Sequence, residues 1–210
     1  MKNKDHKTVP KRSSEILIEI AENKNLKSGL TYRYIFQALG DRAFGVAILF
    51  FALPSLLPFS AVPGIAVVFG LPIVIFALGM IFGRKTIWLP KIIGNKTISH
   101  SKISRIIFAV LPYIVKLERL SKPRWALITC RAAEIMNGIA ILCLALLLMI
   151  PIPFSNFIFG GLLAIFSIGI IEKDGLLIFI GYLFFIAYIF FIYMVALKAI
   201  EAFLFIKNSV

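Results

Sequence analysis

Ala43–Gly83 reads AFGVAILFFALPSLLPFSAVPGIAVVFGLPIVIFALGMIFG and contains no charged side chain. A helix rises 1.5 Å per residue, so about 20 apolar residues cross a bilayer core of roughly 30 Å. This run is about twice that length. Pro54, Pro58 and Pro63 lie near its middle, where each removes a backbone donor and disfavours helix in the residue before it. The pattern predicts a hairpin: a helix from Phe44 to about Leu53, a proline-rich apex, and a returning helix from Gly64 to Phe82. The first arm is short for a straight crossing. Either it extends back through Gly40-Asp41-Arg42, or the pair is re-entrant and turns near mid-bilayer. Irregular backbone at that depth needs cover from protein or from a wet cavity.

Of the 210 residues, 60% are hydrophobic and 16% are charged, and the formal net charge is +13. Soluble domains average about a quarter charged residues, so the composition indicates an integral membrane protein with one membrane domain. In such a chain the basic excess sets orientation. The apolar spans argue against the nucleic-acid partner that the same charge would suggest in a soluble protein. Cys130 and Cys143 would stand about 20 Å apart on one helix, beyond disulfide reach, and they read as small apolar core residues. No Cys/His cluster has metal-ligand spacing, and no Ser/His/Asp order, nucleophile elbow or P-loop appears. No metal, cofactor or catalytic residue is expected, and the chain reads as non-enzymatic.

Residues 1–42 form a basic N-terminal segment. Met1–Arg12 (MKNKDHKTVPKR) has nothing to bury and holds no apolar stretch of the signal-peptide kind. Ser13 or Ser14 can cap a short helix, SSEILIEIAENKN, with Ile16, Leu17 and Ile20 on one face. This helix lies on an anionic membrane surface or packs on the cytoplasmic side of the same protein. A second short helix, TYRYIFQALGDRAFG, carries Tyr32, Tyr34 and Phe36 toward the interface.

Residues 43–83 are the first hairpin and residues 84–124 a basic loop. From Arg84 to Arg131 eleven Lys or Arg face a single acid, Glu118, and nine basic residues lie between Met1 and Arg42. Positive charge marks the cytoplasmic side, so the N-terminus and the loop are expected there. In the loop Ile103, Ile106, Ile107, Val110, Leu111, Ile114 and Leu117 recur with helical period. They predict an interfacial helix with Lys102, Arg105 and Lys116 on its polar face and a kink at Pro112. Residues 125–210 hold a second apolar block, from Trp125 to Glu172-Lys173-Asp174, and a last span, Leu176–Leu197.

The two apolar blocks resemble each other. Gly45-Val46-Ala47-Ile48-Leu49 leads to Pro58-Phe59-Ser60 and Gly64, and Gly138-Ile139-Ala140-Ile141-Leu142 leads to Pro153-Phe154-Ser155 and Gly160-Gly161. Each opens with an acid and an arginine, Asp41/Arg42 and Arg131/Glu134, and each closes at a charged loop. Corresponding broken segments in two halves point to a transporter-type binding site. Loop charge favours a parallel repeat, and an inverted one stays open.

Arg131 and Glu134 are the only charges of the second block. Their i,i+3 spacing puts them on one helix face, so they can pair. Ionisable groups inside a span mark functional sites; the alternative is an interfacial salt bridge. The same two readings apply to Asp41 and Arg42. Arg42, Arg84 and Arg131 are the candidate ligands of an anionic head group, and Asp41 and Glu134 the candidate proton couplers. Pro54, Pro58, Pro63, Pro151 and Pro153 are the candidate apex residues.

Five strings add a resemblance. They are Leu39-Gly40-Asp41-Arg42-Ala43-Phe44-Gly45; Gly83-Arg84-Lys85 with Trp88-Leu89-Pro90; Leu117-Glu118-Arg119 with Pro123-Arg124; Pro151-Ile152-Pro153-Phe154 with Asn156; and Glu172-Lys173-Asp174-Gly175 with Gly181. In this order, from about Leu30 to Gly181, the chain resembles the ExoD family, bacterial membrane proteins of exopolysaccharide synthesis. It departs at Ser55, where the family often has asparagine, and at Phe157-Ile158-Phe159, where proline often follows the second apex. The resemblance implies a multi-pass protein of the bacterial cytoplasmic membrane and supplies no reaction.

The expected fold is an all-α integral membrane protein: two pseudo-repeated, proline-broken hairpins, a C-terminal transmembrane helix and interfacial amphipathic helices. The expected function is that of a transporter-like or envelope-lipid-handling protein. Membrane lipids, anionic or isoprenoid phosphate lipids among them, and a second copy of the chain are the expected partners. Two alternatives stand beside it: a scaffold recruiting synthesis enzymes through Lys91–Arg124, and an ion or proton antiporter.

Overall fold

The computed structural model describes residues 13–22, 30–57, 64–84, 86–87, 97–120, 131–150 and 155–209. Pro58, Pro63, Pro151, Pro153 and Cys130 lie outside them. Eight helices carry the described chain: α1 (Ser13–Glu22), α2 (Tyr32–Leu39), α3 (Arg42–Ala52), α4 (Ile65–Ile81), α5 (His100–Leu120), α6 (Arg131–Met149), α7 (Ser155–Glu172) and α8 (Gly175–Ser209). A two-residue antiparallel bridge joins β1 (Leu30–Thr31) to β2 (Thr97–Ile98), with Leu30 opposite Ile98. Among the described residues three helices are long and apolar enough to cross a membrane: α6, α7 and Gly175–Lys198 of α8. Large apolar side chains face outward along the bundle, among them Phe50, Val68, Phe184 and Phe190, as on a surface that meets lipid rather than water.

The uncharged run carries α3 with the short turn after it, and α4. α3 starts at Arg42 rather than continuing α2: the chain bends by 112° between Arg33–Leu39 and Arg42–Leu56. Gly40 makes that corner with a φ of 56°. Pro54 does not end the arm abruptly but opens a 3₁₀ turn, Leu53–Leu56, since its fixed φ suits the start of a helical segment. Pro72 lies inside α4 and Pro112 inside a continuous α5.

Close glycine contacts define how the hairpins pack. A methyl group on Gly45 of α3 would sit 2.8 Å from the Ser167 carbonyl oxygen of α7, and one on Gly160 of α7 would meet the Cβ of Ser55 at 3.0 Å. The start of α3 therefore meets the end of α7, and the two run antiparallel. A methyl group on Gly138 of α6 would sit 3.1 Å from the Ala77 carbonyl oxygen of α4, and one on Gly70 of α4 would sit 2.8 Å from Met149 of α6. Those two are antiparallel as well. Small residues that let backbones approach this closely are how apolar helices associate in lipid. The starts of α3 and α6 and the ends of α4 and α7 thus lie at one, open end of the bundle, and the ends of α3 and α6 and the starts of α4 and α7 at the other, apex end. Ile48, Ile73, Ile141, Leu144, Leu163 and Phe166 fill the space between the helices.

α8 packs antiparallel to α7, with Ile178 against Gly169 and Tyr188 edge-on to Phe159 at 5.3 Å. It passes the apex level near Phe191, which shares an outer groove with Phe157 at the start of α7. The residues after Ile192 continue for roughly 25 Å more. The last helix is therefore longer than the expected Leu176–Leu197.

At the open end α1 packs on α5, with Ser104 Oγ donating to the Ala21 carbonyl at 3.2 Å. α1 thus packs on its own chain. In α5, Ile107 is buried, Leu111 and Ile114 are half-buried, and Lys102, Arg105 and Lys116 are exposed, as the periodicity predicts. Cys143 corrects an expectation: it is exposed on α6, beside Leu146, Leu147 and Phe185. A small apolar thiol is as compatible with a lipid-facing surface as with a core.

Candidate functional site

At the open end of the bundle four helix termini meet, and each delivers one charge. Asp41 holds the N-cap position of α3, with no side-chain capping bond. Glu134 lies in the first turn of α6. Arg84 follows α4, where Gly83 at a φ of 64° reverses the chain: the Gly83 N–H donates to the Met80 carbonyl at 2.9 Å and the Arg84 N–H to Gly79 at 3.0 Å. Lys173 ends α7 with the same pair of bonds, to Ile170 at 3.4 Å and from the Asp174 N–H to Gly169 at 2.9 Å. Both are Schellman turns. The Asp174 carboxylate then caps α8 by accepting from the Leu176 N–H at 2.9 Å.

These four side chains line one cleft with Phe44, Met80, Asn137, Ile170 and Ile178. It is partly open to the outside, and the space within it that water can occupy is about 30 Å³, room for a water or two. Each charge suits its own helix end, acids at N-termini and cations at C-termini. Among the described residues, no direct ion pair or hydrogen bond joins the four charges to one another. Two carboxylates and two cations therefore face a common space without being locked together.

The inner end of the cleft is closed by apolar side chains and one amide. Asn137 is 2% exposed, and its Oδ1 accepts a hydrogen bond from the Tyr182 hydroxyl at 3.0 Å. The Tyr182 ring stands edge-on to Phe166 at 5.0 Å.

Of the residues singled out in the sequence, Asp41, Glu134 and Arg84 come together here. Arg131 is exposed on α6 with its guanidinium against Gly83, where a methyl group would sit 3.0 Å from Nη2, so it stands beside the cleft rather than in its lining. Arg42 is buried at the start of α3, held by interactions within the protein, and does not line the cleft. Lys173, Asn137 and Tyr182 escaped the sequence reading. Asn137 had one available signal: it is the only amide in α6.

A second polar group lies at the apex end. Ser55, Ser155 and Asn156 are buried there, each held by interactions within the protein. Pro54 borders them. Among the described residues no group of three or more His, Cys, Asp or Glu is arranged to hold a metal ion.

The family described as "Exopolysaccharide synthesis, ExoD" matches residues 13–194. Over 138 residues the chain is 36% identical to the uncharacterized protein slr1875 of Synechocystis, covering 65% of each. Over 153 residues it is 33% identical to Protein ExoD of Rhizobium meliloti, covering 71% of this chain and 63% of that protein. The matched regions thus span slightly less than two thirds of either relative. No solved structure matches the chain.

Proposed function

The chain belongs to the ExoD family of exopolysaccharide synthesis, and from that premise we propose that it acts as a non-enzymatic, transporter-like protein binding an anionic head group at the Asp41–Arg84–Glu134–Lys173 cleft. One observation carries the reading: two acids and two cations from both hairpins converge there without pairing directly. With both carboxylates ionised the four formal charges cancel. Protonating Asp41 and Glu134 leaves Arg84 and Lys173 uncompensated and favours an anion. Arg131, beside Gly83, adds a third cation near the mouth. Proton uptake and anion binding are then linked through one set of side chains.

The duplicated-hairpin reading supports a shared site. Asp41 and Glu134, Gly45 and Gly138, and Ala52 and Ala145 are each 93 positions apart; Gly70 and Gly160, Ala77 and Ser167, Gly83 and Lys173 are each 90 apart. The contacts of Gly45 with Ser167 and of Gly138 with Ala77 correspond under those offsets, as do the turns at Gly83 and Lys173. A parallel repeat about an axis along the bundle puts the cleft on that axis. α6 and α7, about 28 and 27 Å long, suit hairpins that reach nearly across a bilayer core of roughly 30 Å. The basic segment and loop lie on the cytoplasmic face of the inner membrane in this reading.

Native mass spectrometry of protein purified with bacterial lipid tests the proposal. Wild type is expected to retain one anionic lipid more strongly as pH falls. Arg84→Gln/Lys173→Gln is expected to lose it, and Asp41→Asn/Glu134→Gln to keep it at every pH. Equal retention by all three would overturn the reading. The small water-accessible volume favours a second reading, exchange of a proton or small ion alone, for which the acid variants lose ion flux and no lipid is retained.

A further inference from the structure

Resting on the reading of the cleft just given, we propose that Asn137, latched by Tyr182, is the specificity-determining residue that commits the cleft to a phosphate-type oxyanion. Asn137 is among the most deeply buried polar groups of the protein and closes the inner end of the cleft. An amide offers a carbonyl acceptor and an N–H₂ donor, and it accepts a cation or an anion according to which faces the ligand. Here the carbonyl is occupied, because Tyr182 donates to Oδ1. What Asn137 offers the cleft is its Nδ2 hydrogens.

Tyr182 keeps that orientation because its own ring is fixed. Phe166, against which it stands edge-on, is fully buried. Gly181 lets α8 approach: a methyl group there would meet the Phe166 ring at 3.1 Å. The latch comes from α8, which lies outside both hairpins. Under the offset that equates Asp41 with Glu134, Asn137 corresponds to Phe44, so only one wall of the cleft carries the amide.

The polar inventory then has one sense. Arg84, Lys173 and Asn137 Nδ2 are donors, and Asp41 and Glu134 accept only when ionised. Once the carboxylates are protonated, every polar group lining the cleft among the described residues can donate. Charge-assisted donors converging on one point are the chemistry that recognises phosphate oxygens. A phosphate monoester or diester satisfies it, whether it is a lipid head group or free phosphate.

The test uses the full chain in phosphatidylcholine nanodiscs. Binding of inorganic phosphate, of phosphatidate mixed into the disc, and of rubidium is measured at acid and neutral pH for wild type, Asn137→Asp and Tyr182→Phe. Wild type is expected to bind a phosphate group and exclude rubidium; which phosphate source saturates it tells a lipid ligand from a free one. Asn137→Asp replaces the donor with an acceptor of the same shape and is expected to weaken phosphate binding by roughly tenfold or more while admitting rubidium. Tyr182→Phe frees the amide to turn and is expected to narrow the preference for phosphate over rubidium without changing the melting temperature by more than a few degrees. A preference unchanged in Tyr182→Phe, or in a folded Asn137→Asp, overturns the inference alone. A wild type that binds neither phosphate source overturns the underlying reading.

Discussion

Gly83 and Lys173 occupy the same turn: each follows an apolar helix, each has a positive φ, 64° and 53°, and each closes the same two backbone bonds. Glycine adopts that conformation freely, whereas a side-chain-bearing residue pays roughly 1–2 kcal/mol for it. Lysine at 173 therefore stands against the local backbone preference, and the cation it brings to the cleft is a reason for it to be there. Lys173→Gly is expected to raise stability by about 1 kcal/mol and to weaken binding of an anionic lipid. Thermal unfolding in detergent and native mass spectrometry read the two effects separately. A variant less stable than wild type would show that Lys173 is held for packing.

Gly83→Ala reverses the exchange. Alanine meets the same positive φ, and its methyl group meets Arg131 Nη2 at 3.0 Å, although the end of an arginine side chain can give way. A loss of about 1 kcal/mol is expected, with no further loss in a Gly83→Ala/Arg131→Ala double variant. If the double variant is much less stable than the sum, Arg131 supports the turn by more than contact.

Gly45 and Gly138 are tighter. A methyl group on Gly45 meets a backbone oxygen at 2.8 Å, and one on Gly138 meets backbone and side-chain atoms at 3.0 to 3.1 Å. Backbone cannot swing aside as a side-chain tip can, so α3 would have to lift from α7, or α6 from α4. Each alanine substitution is expected to cost about 1–3 kcal/mol, with Gly45→Ala the more damaging. Gly161, where a methyl group reaches only ordinary contact at 3.9 Å, serves as the control and is expected to tolerate alanine.

The direction of α8 gives a topology test. Its start lies at the cleft end and its final turns lie beyond the apices. Exposed Lys102 of α5 and exposed Lys207 of α8 should then be on opposite sides of the membrane. Single cysteines at these positions, in a chain with Cys130→Ser and Cys143→Ser, are expected to react with a membrane-impermeant maleimide from opposite faces of oriented vesicles, Lys102→Cys from the cytoplasmic face. Labelling of both from one face would show that α8 does not cross.

The sequence by itself indicated an all-helical chain with helices long and apolar enough to cross a membrane, and the break at Glu172–Asp174. These rest on local quantities: the length of an uncharged run, prolines that remove donors, and glycine where the chain reverses. It also brought Asp41, Glu134 and Arg84 forward, because charges beside long apolar runs are few. It did not tell Arg42 from Arg84, or a core Cys143 from an outward one. α4, α7 and α8 are apolar on all sides, so hydrophobic periodicity carries no record of which face turns inward. The contacts of Gly45, Gly70, Gly138 and Gly160 decide that rotation, through close approach between segments about 60 to 125 positions apart. Only that packing joins the starts of α3 and α6 to the ends of α4 and α7. Only α8, folded back along α7, brings Tyr182 to Asn137.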